Sequence, residues 1–457
     1  VPGNNLINSL PKRKQGLAGR LSYAYDGKYM AEVNMGYNGS ENFAKGHRWG
    51  FFPSIALGYN ISEESFFEPL RKVITSMKLR GSWGLVGNDQ IGGERFIYMP
   101  TINLSGKGFT TGIDQNYGLS GPVYTRYENN SITWEVGEKI NLGIDLQLLN
   151  SLNIVVDIFR ETRRDIFQKK GTIPTYLGTG NTDVFGNLAE MKNQGLDLSI
   201  DYNKAFSKDF YMNFKGTFTY AHNEITKYDE APKYAFQSKV GQSANVSQGY
   251  LSNGLFLDEA EIDRYNQQMG STLGAGDIKY LNVSNMHGYG DDIVDVDDWT
   301  WIGNPTVPEI VYGFGPSFKY KNWDFSFFFQ GVAKTSLFMS GFHPFGDNSL
   351  RNVLQFVAND RWSPTNQNVD AKYPRLTRKT SLNNTNPGNS GRTSDYWMRD
   401  GSFLKLKNME LGYTFKRMRF YISGSNLLTF SKFDLWDPEQ GGGSGLKYPC
   451  LLYTSDA

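Results

Sequence analysis

One cysteine, Cys450, stands among 457 residues, so no second thiol exists for it to pair with. Intrachain disulfides and cysteine-based zinc sites are thereby excluded. The four histidines, His47, His222, His287 and His343, are widely spaced, with no His-x-x-x-His pair. A nucleophile elbow, a phosphate loop and a dinucleotide fingerprint are also missing, so no enzyme chemistry is expected. Neither sign of charge is in excess: 47 basic against 46 acidic residues leave a net +1. That balance removes the basic footprint of a nucleic-acid binder. No apolar run approaches the ~18 to 20 residues of a spanning helix, which excludes helical membrane proteins and leaves barrels open.

What the chain has in quantity is glycine and aromatic rings. Its 50 glycines and 15% aromatic residues go with a mean hydropathy of −0.48, against an average glycine usage of about 7%. This mixture points to an all-β protein with many turns. The chain opens Val1-Pro2-Gly3-Asn4-Asn5, with no basic or apolar leader pattern, and reads as a piece of a longer protein. Its last eight residues, Cys450 to Ala457, resemble the translation of a sequencing adapter. The expected biological segment is therefore 1–449, with 450–457 an artefact.

Period-two alternation marks twelve candidate strands, near 16–26, 27–38, 51–61, 76–86, 134–148, 151–160, 194–204, 208–222, 309–320, 322–333, 402–415 and 418–430. In the nine clearest, one phase is apolar and free of charge, as in Tyr29, Ala31, Val33, Met35 and Tyr37, or Ile140, Leu142, Ile144, Leu146 and Leu148. The opposite phase carries Arg20, Glu32, Arg80, Asp145, Asp197, Lys215 and Asp324. A soluble sandwich also alternates. Three features favour a transmembrane barrel. The strands are long, Tyr and Trp gather at strand ends, and tight turns (near 26–28, 149–151, 207–209, 321–322 and 416–417) alternate with long loops (near 39–50, 87–133, 161–193, 223–308 and 334–401). In 402–415 the apolar phase shifts between Leu406 and Met409, which predicts a β-bulge around Lys407 and Asn408. Residues 421–430 choose no phase cleanly.

Several segments, taken together and in order, resemble the SusC/RagA family of TonB-linked outer-membrane proteins. They are Arg48-Trp49-Gly50-Phe51-Phe52-Pro53-Ser54, Leu79 to Asn88, Trp134-Glu135, Gly249-Tyr250, Gly254-Leu255-Phe256, Gly276 to Tyr280, Ile302-Gly303-Asn304-Pro305, Asp395 to Asn408, and Ser423 to Phe430. The resemblance implies an antiparallel transmembrane β-barrel of about 22 strands, of which about 12 are present here. Short periplasmic turns and long extracellular loops are implied, together with an internal plug lying outside this chain. It further implies a place in the Gram-negative outer membrane, import of a glycan or peptide substrate, energisation by TonB, and a SusD-like lipoprotein partner.

Candidate substrate contacts are the outer-loop aromatics Tyr117, Tyr124, Tyr127, Tyr176, Trp299 and Trp301, whose faces can stack on sugars or apolar groups. Packing within the loops explains them equally well. The acidic run Asp291, Asp292, Asp295, Asp297 and Asp298 could place oxygens around Ca²⁺. It lacks the Asp-x-Asn-Gly-Asp-Gly spacing that the resemblance leads one to expect, having Asn285-Met286-His287-Gly288-Tyr289-Gly290 instead. No other cofactor is expected. Gly441 to Gly445 reads as a flexible loop. The expectation is thus a TonB-dependent importer in contact with outer-membrane lipid. A structural or adhesive outer-membrane β-protein that binds through its loops is the alternative.

Overall fold

The computed structural model describes residues 11, 13–91, 95–173, 183–265, 267–268, 272–339, 345, 352–377 and 393–440. Tyr176, His343, the glycine run 441–445 and the tail 450–457 lie outside the described residues. Twelve long strands form one sheet in chain order. They are β1 (Lys14–Tyr25), β2 (Tyr29–Ser40), β3 (Trp49–Asn60), β4 (Ile74–Asn88), β5 (Glu135–Leu148), β6 (Leu152–Lys169), β7 (Phe185–Ala205), β8 (Phe210–Lys227), β9 (Ile310–Tyr320), β10 (Trp323–Ala333), β11 (Phe403–Phe415) and β12 (Met418–Ser431). Each of the twelve strands expected from alternation is present.

The chain divides into two compact units. In the first, which holds β1 to β7, the register aligns the apolar phases. Val33 faces Leu21 and Ile55, Ile55 faces Trp83, Trp83 faces Ile140, and Ile158 faces Leu142 and Leu196. A slip of one residue would turn each strand's apolar set to the other face. Tight turns hold the register. At Asp26-Gly27 and at Leu149-Asn150 both central residues take positive φ, and the turns close through Lys28 N–H on the Tyr25 carbonyl and Ser151 N–H on the Leu148 carbonyl.

In the second unit the same logic aligns Phe210 with Tyr320, Phe314 with Phe329, and Phe325 with Leu411. The expected bulge is there. Phe328 pairs with Asn408 and Phe329 with Leu406, so Lys407 is the extra residue. The undecided phase of β12 has a matching cause. Leu406 pairs with Leu428 and Asn408 with Ser425, so Asn426 and Leu427 together oppose Lys407, and Asn426 takes φ 52°. A bulge in one strand is answered by a bulge in the next.

Two loop expectations need correction. The stretch 87–133 contains a separate antiparallel hairpin, Thr101–Thr111 with Tyr117–Arg126. The stretch 161–193 is largely strand, because β6 runs to Lys169 and β7 starts at Phe185. Charged and apolar residues mix there, so the face alternation that marks a half-buried strand fades although backbone pairing continues.

Burial inverts the pattern of a soluble sheet protein. On the apolar face Leu142 is 62% exposed and Leu57 59%, and aromatic pairs mark the two ends of β2 and β3. Tyr29 stacks on Tyr59 near the turns, and Tyr37 stacks on Trp49 near the loops. Tyr29 to Tyr37 spans about 26 Å along the strand at ~3.3 Å per residue. After tilt this approaches the ~25 Å apolar band of membrane barrels. The closely packed cores lie instead among the loops.

Candidate functional site

The opposite face of the sheet is polar, and its charges pair across strands. In the first unit Arg80 of β4 donates to both carboxylate oxygens of Asp145 on β5 (3.0 and 2.8 Å) and to Asp157 on β6 (3.0 Å). Gly143 lies between them, and a Cβ there would sit 2.5 Å from Asp157 Oδ1 and 2.8 Å from Arg80 Nη2. The missing side chain makes room for the guanidinium. Nearby, Arg163 pairs with Glu161 and Glu135, and Arg20 pairs with Glu32. In the second unit Arg419 bridges Asp324 and Glu410. Such a surface suits water, whereas the apolar face suits lipid.

At the loop end of the first unit, three of the segments singled out in the sequence meet. Phe52 points to the polar face and sits edge-on against Trp134 at 5.2 Å. The ring fits only because its neighbours are glycines. A Cβ at Gly87 would lie 2.0 Å, and one at Gly50 2.4 Å, from Phe52 Cζ. Trp134 Nε1 donates to the Arg48 carbonyl at 3.0 Å, and Phe43, Ile91, Ile97 and Ile132 complete the core. Beside it Asp89 accepts from Lys14 and Ser40 at 2.7 Å each. The hairpin 101–126 carries two of the candidate contacts, Tyr117 (63% exposed) and Tyr124; Tyr124 stacks on the third, Tyr127, at 5.4 Å.

The second unit has a larger loop core, built on Tyr250, Leu255, Ile278, Tyr280, Trp362, Tyr373 and Trp397. Again the sequence segments converge. A Cβ at Gly276 (φ 83°) would lie 2.3 Å from the Trp362 indole, and one at Gly303 (φ 65°) 2.0 Å from Met398 Sδ. Asp395 accepts from Ser252 N–H at 2.7 Å and returns its own N–H to the Tyr250 carbonyl at 3.1 Å. The fully buried Asp277 carboxylate takes two hydrogen bonds from Arg375, at 2.5 and 3.0 Å. Trp299 packs against this core, and Trp301 is tied to a neighbouring loop by a hydrogen bond. Trp299 meets Tyr250 edge-on at 5.9 Å, and Trp301 Nε1 donates to the Ser238 carbonyl at 2.9 Å.

After β12 the chain returns to the same core through Phe433 and Trp436. Lys405, buried on the polar side of β11, donates to Asp437 at 2.6 Å and to Glu439 at 2.8 Å, and Lys407 reaches Glu439 at 2.6 Å. Burial alone would raise the Glu439 pKa. The two ammonium groups outweigh it and hold the pKa at about 2. Sequence reading missed this cluster because its partners are about 32 residues apart and joined only by the fold.

The acidic run does several different jobs. Asp295 accepts from Asp297 N–H and Asp298 from Asp295 N–H, forming a capping box. Asp298 also takes Ser284 N–H at 2.9 Å, and burial raises its pKa. Asp297 pairs with Lys233. Asp291 accepts from Asn282 and Ile293 N–H, and Asp292 is exposed. Among the described residues no three His, Cys, Asp or Glu groups are arranged to hold a metal ion.

Above this run is a feature the sequence reading did not single out. Four rings stack in series: Tyr289 on Tyr234 (4.4 Å), Tyr234 on Phe236 (5.5 Å), and Phe236 on His287 (4.6 Å). They come from segments about 50 residues apart, so only their aromatic type was legible.

The family description "TonB dependent receptor-like, beta-barrel" matches residues 2–427. The chain belongs to this family of TonB-dependent receptor barrels. It is 28% identical over 451 residues to TonB-dependent receptor SusC of Bacteroides thetaiotaomicron, covering 93% of this chain and 41% of that protein. It is 27% identical over 445 residues to TonB-dependent receptor P3 of Formosa agariphila, covering 92% and 41%. The solved RagAB peptide transporter superposes with a TM-score of 0.68 at 21% identity, covering 94% of this chain and 45% of that one. The receptor chain thus spans less than half the length of these relatives. The likeness to the RagAB transporter concerns the fold.

Proposed function

We propose that this receptor chain forms part of the wall and the external loops of a TonB-dependent importer in the outer membrane, taking up oligosaccharides or peptides together with a SusD-like surface lipoprotein. One observation carries the reading: a charge-free apolar face lies exposed along the sheet while the opposite face pairs its charges across strands. Exposed Leu and Ile in this number would drive aggregation of a soluble protein and are at home against lipid. The paired charges would line a wet lumen, where hydrated solute passes without covalent chemistry.

Within the reading the parts have distinct roles. The loop cores hold the external ends of the strands as preformed bodies. The exposed Tyr117, Tyr124 and Tyr127 offer ring faces to solute or lid, while Trp299 packs against the loop core. Ligand at the loops would bias an internal plug, and TonB would pull on it. The experiment is uptake of labelled oligosaccharide and peptide pools by cells carrying the complete receptor, with and without TonB. Import that needs both receptor and TonB is the expected result. Surface adhesion that persists without TonB, with no uptake, would replace this reading with the adhesive one.

A further inference from the structure

The apolar face of β5 to β7 ends in cations. Along β6 the outward phase runs Leu152, Ile154, Val156 and Ile158, and then Arg160, Thr162 and Arg164. The backbone register keeps these last residues on the side of the apolar ones. Arg160 lies opposite Ile140 and Gln194, Thr162 opposite Glu138 and Lys192, and Arg164 opposite Val136. Two side-chain hydrogen bonds agree with that placement. Glu138 accepts from Trp83 Nε1 at 3.0 Å and from Arg164 at 3.2 Å, and Trp83 pairs with Ile140 in the apolar row. The intervening Lys139, Glu161 and Arg163 pair with one another on the polar face.

Three cations therefore surround Thr162. Arg160 and Arg164 stand on either side of it along β6 and Lys192 directly across on β7, with Cα atoms within about 7 Å of its own. Among the described residues only Arg164 of the three has a carboxylate partner, Glu138, whereas the exposed Arg160 and Lys192 make no ion pair. A cation on a lipid-facing strand is costly at the bilayer midplane and nearly free at its edge. The level here is the edge. Arg160 lies eight residues from Leu152 beside the turn, about 26 Å along β6, the same span as from Tyr29 to Tyr37. At that level β2 and β3 carry the stacked Tyr37 and Trp49 rings, and β6 and β7 carry positive charge instead.

An apolar strip that ends in excess positive charge is complementary to an amphiphile with an anionic head. Acyl chains fit along Ile140, Leu142 and Ile158, the last 60% exposed. A phosphate fits among the two guanidinium groups, the ammonium and the Thr162 hydroxyl, which all donate hydrogen bonds. A soluble anion would gain nothing from the strip.

We infer that Arg160, Thr162, Arg164 and Lys192 form a binding site for the phosphate of a net-anionic lipid in the leaflet on the loop side. Glu138 and Trp83 are positioning residues that hold Arg164. The inference rests on the membrane-wall reading for its setting and adds a ligand that is not cargo.

The test uses the complete receptor, stripped of lipid in detergent. It is titrated with phosphatidylglycerol, monophosphorylated lipid A, zwitterionic phosphatidylcholine and inorganic phosphate, and the bound species are counted by native mass spectrometry. The anionic lipids should bind more tightly than phosphatidylcholine. Arg160→Gln should weaken the tightest anionic lipid by about fivefold, and Arg160→Gln with Lys192→Gln by about 25-fold. Lys139→Gln removes the same charge from the polar face at the same level and should leave lipid affinity unchanged. Arg160→Lys keeps the charge and should retain most of the binding, which also shows that the position tolerates change. Equal affinity for anionic and zwitterionic lipid, an effect of Lys139→Gln equal to that of Arg160→Gln, or no loss in the double variant overturns the inference. So does inorganic phosphate binding as tightly as lipid, or loss of a co-purifying protein from the double variant with lipid affinity unchanged. Insertion into phosphatidylcholine liposomes is measured separately. Normal insertion without preference for anionic lipid sinks the site and leaves the membrane wall standing, whereas failure to insert into any liposome overturns the wall reading and the site with it.

Discussion

Replacing Gly87 by alanine tests the idea that glycines in the family-like segments are there to seat Phe52. The new methyl would sit 2.0 Å from Phe52 Cζ and 2.4 and 2.5 Å from the two Cε atoms. An isolated ring tip could swing aside. Here Gly50 closes the other side, with its own Cβ position 2.4 Å from the same Cζ, and Trp134 lies edge-on at 5.2 Å. The ring can move only by breaking its contact with Trp134 or shifting β3 against β4. Overpacking of this kind costs about 1–3 kcal/mol, and the lost aromatic contact adds about 0.5–1.5 kcal/mol. Local opening around 89–91, 95–100 and 127–134 should rise by about one to three orders of magnitude, at about 1.4 kcal/mol per factor of ten. Hydrogen exchange with mass spectrometry on the receptor in detergent reads this directly. Gly118→Ala is the control, because nothing lies within 4 Å of its Cβ position and its φ is ordinary. In the double variant Phe52→Leu with Gly87→Ala, the smaller side chain should remove much of the penalty. If Gly87→Ala exchanges like Gly118→Ala, or if Phe52→Leu fails to relieve it, the steric reasoning is wrong.

Further outcomes follow from the same structure. Leu142→Lys, in the apolar face, should cost about 2–4 kcal/mol of insertion near the bilayer midplane, whereas Asn141→Lys on the polar face should be tolerated. The folded fraction in liposomes, read by gel shift, compares the two, and equal yields would refute the assignment of faces. Arg375→Met removes the cation that pairs with the fully buried Asp277 carboxylate and should destabilise the second loop body by about 3–5 kcal/mol. Protease sensitivity of 272–281 and 371–377 checks it, with wild-type resistance the contrary result. Glu439 is held at about 2 against an ordinary 4.5, so its contribution to anchoring 432–440 is fully present above about pH 4.5 and is lost as pH falls through about 2. In Lys405→Met the Glu439 pKa should rise toward its ordinary value, and release of 432–440, followed by hydrogen exchange against pH, should begin at higher pH. A release curve that does not move would count against the cluster.

Local pattern alone made the strands, their faces and their turns legible. Alternation needs nothing beyond the next two residues, and the charge-free phase of Tyr29 to Tyr37 or Ile140 to Leu148 survives whatever the chain packs against. Even the bulge at Lys407 announced itself as a phase slip. Its partner in β12 showed only as an undecided phase over 421–430, which became a bulge at Asn426 and Leu427 once Ser425 and Leu428 were paired with Asn408 and Leu406. The segments resembling SusC/RagA pointed to the family without saying what they do.

The tertiary structure decided where apolar side chains are packed and which charges meet. Gly50 and Gly87 acquire meaning only when Phe52 and Trp134 arrive from other strands, and Gly276 only under Trp362. The contacts of Trp299 with Tyr250 and of Trp301 Nε1 with the Ser238 carbonyl likewise appear only in the fold. Tyr289 stacks on Tyr234, and Tyr234 on Phe236, only because the fold joins segments some 50 residues apart. The physical reason is common to all of these cases. Strand identity is carried by short-range alternation, whereas burial, ion pairing and ring stacking depend on neighbours distant in sequence, which only the closed backbone registers bring within reach.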